Sequence, residues 1–490
     1  MEAKDANPKQ VYLFEKAPYL KAILILALPS ILSQLILVIY NIADTYFIGL
    51  ASENAYYVQS GLSSALVAGV TICMPIYTIL TAISNLFGIG ASSVMSRSMG
   101  KKNYERARNA SRFAFWGCLI ISILYCLIML AALDPIASFI SGGQAASDKV
   151  KEYAKTYILV TVVICGVPTT LNTLLSHLFR AEGKSAHAMA GIVLGGALNI
   201  VLDPILIFCC PIENAVLSAS LATGISNCIA LIYYLITYLI LHKKLVISFK
   251  FKRKMFNFGV PGETLIIGLP ACLMTLCENI SFMVMDNLIG SAVGGGTSAL
   301  AGVGAAKKIN MFPHSITRGM TQGVLPLIGY NKSSGNRHRM RMITYISGAI
   351  SIGIALVCMI INMTLAKPLS SIFIHEEEAL QFSTKFLIIL SIGAPFSALA
   401  YTVISFFQAV GKPWRSLLLA LLRKGILDIP LMFIFQATVS ITVGGVVWAT
   451  PIADFVCCIV AIILFVIYIH RHGHNYSVKE NNVGGETKIA

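Results

Sequence analysis

VPTTLNTLLSHLFRAEGKS at residues 167–185 and APFSALAYTVISFFQAVGKP at residues 394–413 are two versions of one sequence motif. The first version runs from Pro168 to Gly183, and the second runs from Pro395 to Gly411 with a single extra residue. Three further pairs of segments, at Pro29 and Pro270, Gly100 and Gly329, and Asp203 and Asp428, recur at similar offsets. An apolar chain built from two related halves is the usual architecture of a secondary transporter. The repeat predicts two lobes, residues 1–245 and 246–490, with the functional site between them.

The composition places the chain in a membrane. Hydrophobic residues make up 56% of the sequence and charged residues 12%, against roughly 25% charged in ordinary soluble proteins. Apolar runs of the ~20 residues that cross a bilayer lie near 21–48, 65–96, 112–133, 153–179, 187–210, 215–241, 263–290, 297–329, 342–365, 381–407, 415–437 and 444–470. The runs lack the polar and apolar alternation of membrane barrels. We therefore predict an all-α integral membrane protein with twelve transmembrane helices, six in each of two pseudo-symmetric lobes.

Basic residues predict the orientation, because Lys and Arg in short loops stay on the cytoplasmic side. The segments 97–112 and 243–254 carry six Lys or Arg residues each, and the segment 332–341 carries four. These segments alternate with loops that are poorer in basic residues. Both termini are therefore expected in the cytoplasm. The same loops account for the net charge of +15, so we do not expect nucleic-acid binding.

Ionisable residues inside the spans are costly and normally functional. Asn199 and Asp203 stand four residues apart, which places them on one face of a helix. Pro204 follows and cannot bond to the carbonyl of Ile200, so that oxygen stays available near the carboxylate. Asp44, near the outer end of the first span, can supply a second carboxylate. Because two carboxylates close together in a low dielectric do not ionise together easily, this set predicts an ion or proton site.

The second half has its own ionisable set inside the predicted spans. Its members are Glu278, Asp286, Asp428 and Asp454, with Lys307 and Lys308. At about 1.5 Å per residue, Glu278 and the two lysines lie at similar depth. A carboxylate paired with lysine there is either an internal salt bridge or a switch that exchanges partners, and the sequence leaves both open.

Several segments together resemble one transporter family. They are LPSILSQ and YNIADTYFIG in the first span, LFRAEGK, ALNIVLDPILIF and LPLIGYN. The combination is similar to the signature segments of the multidrug and toxic compound extrusion (MATE) transporters over about residues 15–470, in a DinF-like or MepA-like bacterial member. The resemblance implies a V-shaped pair of six-helix lobes. It also implies export of organic cations and other amphipathic compounds in exchange for protons or sodium ions.

The resemblance also assigns residues to sites. Asp44, Asn199 and Asp203 fall on the amino-lobe cation site of DinF-type members, and Thr223 is a fainter match to a further ligand. Glu278 stands where NorM-type members carry a carboxy-lobe acid. The tenth span departs from the NorM pattern, since residues 397–407 contain no acid. The amino-lobe site is therefore our main prediction, with Glu278, Asp286, Lys307, Lys308 and Asp428 as candidate substrate or coupling residues of the carboxy lobe.

These features define the expected function and its alternatives. We expect a monomer in a bacterial cell membrane that exports small organic cations or drugs, with H⁺ or Na⁺ as coupling ion and neither a metal nor another cofactor. In the expected mechanism a proton taken up by Asp203 or Asp44 weakens the hold on the drug. A flippase for lipid-linked sugars, a solute importer and an intramembrane enzyme are the alternatives, and the last of these predicts product formation without any gradient.

Overall fold

The computed structural model describes residues 8–141, 148–257, 259–291, 296–438 and 444–483. All regular secondary structure in this part of the chain is helical. The first half contains the units α1 (Tyr19–Ser52), α2 (Ser63–Thr71 and Met74–Gly100), α3 (Tyr104–Ala131), α4 (Asp148–Ile158, Leu159–Ile164 and Gly166–Ala181), α5 (Ser185–Cys209) and α6 (Ala215–Leu241). The second half contains α7 (Val260–Ser291), α8 (Gly296–Ser333), α9 (Arg337–Thr364), α10 (Glu377–Ile392 and Ala394–Ala409), α11 (Pro413–Leu421, Leu422–Ile426 and Asp428–Thr438) and α12 (Ala449–Val483).

Short helical segments fill the connections between these units. They are Pro8–Val11, Tyr12–Lys16, Ala55–Gln59, Leu133–Ile140, Ile212–Asn214, Arg253–Phe256, Ala366–Ser371 and Val446–Trp448. Each of the twelve predicted spans therefore coincides with a helical unit. Ten of the units in the described residues are long and apolar enough to cross a membrane, counting α4 and α10 as bent spans. The other two, α8 and α11, are the units that carry the lysines and arginines discussed below.

The repeated motif that opens the sequence forms the same structure twice. In α4 and α10 the helix bends by 52° and 44°, at breaks that lie three and two residues before the proline of the motif. Proline causes such a bend because it donates no hydrogen bond and its ring clashes with the preceding turn. The motif then ends at Gly183 and Gly411, whose φ angles are +74° and +70°. Glycine adopts this left-handed conformation without strain, which is why it ends helices so often.

Two helix crossings join the halves, and glycine lets backbone touch backbone at both. A Cβ atom on Gly268 of α7 would lie 1.7 Å from the carbonyl oxygen of Leu86 in α2. In the other crossing, a Cβ atom on Gly319 of α8 would lie 2.4 Å from the Cα atom of Ile31 in α1. Any larger residue would force these helices apart, as small residues allow close packing between membrane helices. The crossings pair α1 with α8 and α2 with α7, which is the exchange that a two-fold repeat predicts.

The linker between the halves packs on the first half. Glu182 accepts a hydrogen bond from the backbone N–H of Ile247. Ser248 donates its backbone N–H to the Ser111 hydroxyl at 3.0 Å, and the Phe251 ring packs edge-on against Trp116. The contact of Ser248 with Ser111 joins the basic segments 97–112 and 243–254, and a Cβ atom on Gly100 would lie 3.2 Å from the Cβ atom of Ser333 in the basic segment 332–341. The three basic segments therefore lie at the same end of the helices, which we call the basic end.

Candidate functional site

Asp44, Asn199, Asp203 and Thr223 form a buried polar group in the first half. Their exposed fractions are 6%, 2%, 0% and 7%, although three different helices contribute them. The Asn199 Nδ2 atom donates to Asp203 Oδ1 at 3.2 Å and to Thr223 Oγ1 at 3.3 Å. The i, i+4 spacing of Asn199 and Asp203 therefore produces the shared face that the sequence predicts. Asp44 lies within electrostatic range of Asp203.

One side-chain oxygen on each of three members of this group lacks a donor among the described residues. Asp44 Oδ1, Asn199 Oδ1 and Asp203 Oδ2 are all buried, and none has a hydrogen-bond partner in the described residues. Pro204 lies within α5 and leaves the Ile200 carbonyl without its helical N–H donor. Buried polar atoms are normally paired, because an unpaired one retains its full cost of desolvation. Unpartnered oxygens from three side chains therefore provide an acceptor-rich site that suits a proton or a small cation.

A shell of polar residues that the sequence reasoning did not include surrounds this site. Asn227 donates from Nδ2 to the Thr223 carbonyl at 3.0 Å, and Asn172 donates to Asn227 Oδ1 at 3.1 Å. Tyr40 and Tyr77 lie within electrostatic range of Asp44. A sequence signal for this shell was available, because Asn227 follows Thr223 by four residues within an otherwise apolar span. The hydrogen bonds of this shell hold the helical turn at Thr223 in place.

Asp428 in the second half has very different surroundings. It is 0% exposed, and its Oδ2 atom accepts from Lys424 Nζ at 3.0 Å and from the Ser281 hydroxyl at 2.6 Å. Its Oδ1 atom accepts from the Thr450 hydroxyl at 2.9 Å. Both carboxylate oxygens thus have donors, and the charge has a counter-ion. Asp428 is part of a fully formed buried ion pair.

A second buried pair lies beside the first. Arg423 Nε donates to Asp454 Oδ1 at 2.6 Å, with both side chains at most 1% exposed. The Arg423 guanidinium also stands 4.2 Å from the ring centroid of Tyr401, in cation–π geometry. Arg423 and Lys424 are absent from the residues predicted from sequence, although both lie inside the predicted span 415–437. Ionisable residues within an apolar run are the same signal that identified Asp203.

Glu278 pairs with an arginine of α8, and the carboxylate paired with lysine is Asp286. Arg318 Nη2 contacts Glu278 Oε2 and also donates to the Tyr401 hydroxyl at 3.0 Å. Lys307 instead forms its ion pair with Asp286. Arg318 lies on the same helix as Lys307 but at a different depth. Similar depth along the spans therefore did not identify the partner of Glu278. The second half therefore balances the cations Arg318, Arg423 and Lys424 against the acids Glu278, Asp428 and Asp454.

A family model matches the chain in two segments that divide at the repeat. The MatE model matches residues 29–205 and residues 270–434. This chain belongs to the MatE family. The two matched segments begin at Pro29 and Pro270, which are equivalent positions of the repeat. MatE proteins are transporters, and the chain is accordingly a multi-pass protein of the cell membrane.

Individual relatives agree with the family match. The chain is 29% identical over 464 residues to the "Multidrug export protein MepA" of Staphylococcus aureus (strain MRSA252), which covers 94% of this chain and 96% of that protein. A crystal structure of MATE in complex with MaL6 superposes with a TM-score of 0.84 at 23% identity, covering 95% of this chain and 99% of that one. An outward-facing multidrug resistance MATE family transporter of the MOP superfamily gives a TM-score of 0.83 at 22% identity, covering 96% and 99%. These structures confirm the twelve-helix MATE fold.

Proposed function

We propose that this protein exports amphipathic or cationic organic compounds from the cell in exchange for H⁺ or Na⁺. The observation that carries the proposal is the set of unpartnered buried oxygens on Asp44, Asn199 and Asp203. The name of the Staphylococcus aureus relative, a multidrug export protein, supports the cargo class. The proposal implies two lobes that reorient about the α1–α8 and α2–α7 crossings.

The coupling step is exchange at the first-half acids. A proton or sodium ion satisfies the oxygens that have no donor, and it removes negative charge that would otherwise hold a cationic drug. Drug and coupling ion then exclude each other at one electrostatic site, as antiport requires. The acids of the second half already have arginine or lysine partners. We therefore propose that Asp44 and Asp203, rather than Glu278 or Asp428, carry the coupling.

The driving force follows from the charges that move. Exchange of one proton for one monovalent organic cation moves no net charge, so voltage contributes nothing. The pH difference then supplies about 1.36 kcal/mol per unit. A second coupling ion would add about 2.3 kcal/mol per 100 mV for each charge moved.

The test is ethidium movement in proteoliposomes under an imposed pH gradient and, separately, a sodium gradient. The parent protein should respond to one of the two gradients, and Asp203→Asn should abolish that response. Asp134→Asn is the matched control, because Asp134 is an exposed acid on the segment Leu133–Ile140 that pairs with Lys155 at 2.7 Å. It should transport as the parent does. A parent-like gradient response in Asp203→Asn would remove the first-half acid from the mechanism.

Orientation follows from the basic end. We propose that this end faces the cytoplasm, since its loops concentrate Lys and Arg. A reporter fused after α12 that is active only in the cytoplasm should therefore be active. A folded fusion protein with an inactive reporter would contradict this orientation.

A further inference from the structure

Lys308 differs from the four paired cations inside the helices of the second half. Arg318, Lys307, Arg423 and Lys424 each form an ion pair with an acid. Lys308 is half-buried, and the structure gives its side chain neither an ion pair nor a hydrogen bond among the described residues. Successive residues in an α-helix differ by about 100° in direction. Because Lys307 points to Asp286 on α7, Lys308 on the same helix is turned away from that acid.

Helix α8 packs not only against α7 but also against α1, which belongs to the first half. Besides the contact of Gly319 with Ile31, a Cβ atom on Gly323 would lie 2.6 Å from the Cα atom of Ala27. Rising numbers on α1 thus face falling numbers on α8, so the two helices are antiparallel. The crossing provides a fixed level from which heights along both helices can be counted.

Asp44 and Lys308 lie at nearly the same height above this crossing. A helix rises by about 1.5 Å per residue, so Asp44 lies about 20 Å from Ile31 and Lys308 about 17 Å from Gly319, both in the direction away from the basic end. Asp44 and Lys308 are also within electrostatic range of each other, although they do not form a direct ion pair. A carboxylate with an unpartnered Oδ1 atom in one half thus stands opposite a lysine without an ion-pair partner among the described residues of the other.

We propose that Lys308 is a tethered cation that competes with cationic cargo for Asp44. The inference rests on the proposed function, because it names the residue that takes the place of the cargo at that site. When the cargo leaves, the lysine ammonium approaches Asp44, so the carboxylate does not remain as an uncompensated charge in a low dielectric. The same movement draws α1 and α8 together above their crossing. Loss of cargo is thereby linked to the relative position of the two halves.

The first test of this competition needs no cargo. The melting temperature of the purified full chain in detergent is measured for the parent, Asp44→Asn, Lys308→Gln and the double variant. If the two residues interact, the double variant differs from the sum of the single effects. Additive effects would overturn the inference whatever the cargo is.

Ethidium binding to the same four proteins tests the competition. Lys308→Gln should bind ethidium about ten-fold more tightly than the parent, equivalent to about 1.4 kcal/mol. In the Asp44→Asn background the same substitution should produce no tightening, because the contested carboxylate is gone. Lys308→Arg keeps the positive charge. Its affinity for ethidium should therefore stay within about two-fold of that of the parent.

The outcomes separate this inference from the proposed function. Tighter binding that persists in the Asp44→Asn background, or unchanged binding in Lys308→Gln, would overturn competition at Asp44. A parent that binds no ethidium and moves none under either gradient would instead overturn the cargo class. The melting-temperature cycle would still decide whether Lys308 and Asp44 interact.

Discussion

Asp203 and Asp428 occupy equivalent places in the two halves of the chain, and both are completely buried. Asp428 accepts hydrogen bonds from a lysine and two hydroxyls. Asp203 accepts a single amide bond, and its Oδ2 atom has no partner in the described residues. The two halves thus have a carboxylate at the same position of the repeat, but the hydrogen-bond donors around it differ. Removing a buried acid that has a counter-ion leaves an unpaired buried charge, whereas an acid with an open oxygen can take up a cation.

The largest predicted effect comes from neutralising each acid in turn. Asp428→Asn should lower the free energy of unfolding by about 3–5 kcal/mol, because it leaves Lys424 buried without its counter-ion. Asp203→Asn should leave the stability equal or higher, since no basic residue pairs with Asp203 in the described structure. Thermal unfolding of the purified variants measures both. Equal losses in the two variants would contradict the difference between the halves.

A double variant distinguishes the lost ion pair from a packing defect at Asp428. In Asp428→Asn with Lys424→Met, no buried charge remains unpaired. Most of the stability lost in the single variant should therefore return. If the double variant melts no higher than Asp428→Asn alone, packing rather than charge explains the loss.

The fold was accessible from sequence because its signals are local. Twelve apolar runs of spanning length predict twelve helices, and the repeated motif predicts two related halves. The i, i+4 spacing likewise predicted the shared face of Asn199 and Asp203. All of these depend on residues that are close in the chain.

The ion pairs of the second half depend on distant residues. Arg318 meets Glu278 across two helices and 40 positions of sequence, so rotation and tilt of α7 and α8 decide the pairing. The depth of a residue along its span reduces the number of candidate ion-pair partners but does not identify the partner. Lys307 and Lys308 have nearly the same depth, yet only Lys307 pairs with Asp286 in the described structure.

A smaller effect than at Asp428 is expected at Glu278, whose partner is less enclosed. Glu278→Gln should cost about 2 kcal/mol of stability, typical of a hydrogen bond to a charged group. The loss should be smaller than in Asp428→Asn, because the Arg318 side chain is 33% exposed. Gradient-driven ethidium movement should persist and should still depend on Asp203. Loss of coupling in Glu278→Gln, at normal expression and melting temperature, would transfer the coupling role to the second half.

A pH effect is expected where the two halves join. Burial raises the pKa of Glu182 to about 8 from 4.5, while the backbone N–H groups of Ile247 and Val246 oppose the rise. Between these values the unfolded chain has lost this proton and the folded chain keeps it. Stability therefore falls as pH increases through this window, by at most about 1.4 kcal/mol per unit.

Glu182→Gln isolates this contribution, because glutamine keeps a carbonyl acceptor and does not titrate. The melting temperature of the parent should fall relative to that of Glu182→Gln as the pH is raised from 5 to 8. The difference should level off above pH 8, where the folded protein has also lost the proton. If the melting temperatures of the parent and of Glu182→Gln change in parallel over this pH range, Glu182 does not connect the linker to the first half through a protonated carboxyl group.

The smallest predicted effect concerns the orientation of the Asn199 amide. Thr223→Val removes the hydroxyl that accepts from Asn199 Nδ2 while keeping the shape of the side chain. The free energy of unfolding should fall by about 1 kcal/mol, the usual net value of one hydrogen bond. Without this acceptor the amide no longer holds Oδ1 toward the open side of the site, so the affinity for the coupling ion should weaken by about five-fold, which corresponds to the same ~1 kcal/mol. Thr223→Ser keeps the hydroxyl and should retain the parental ion dependence in proteoliposomes. If valine retains the parental ion affinity, the hydrogen bond to Thr223 does not orient the Asn199 amide, and the open oxygens of the first half do not depend on Thr223.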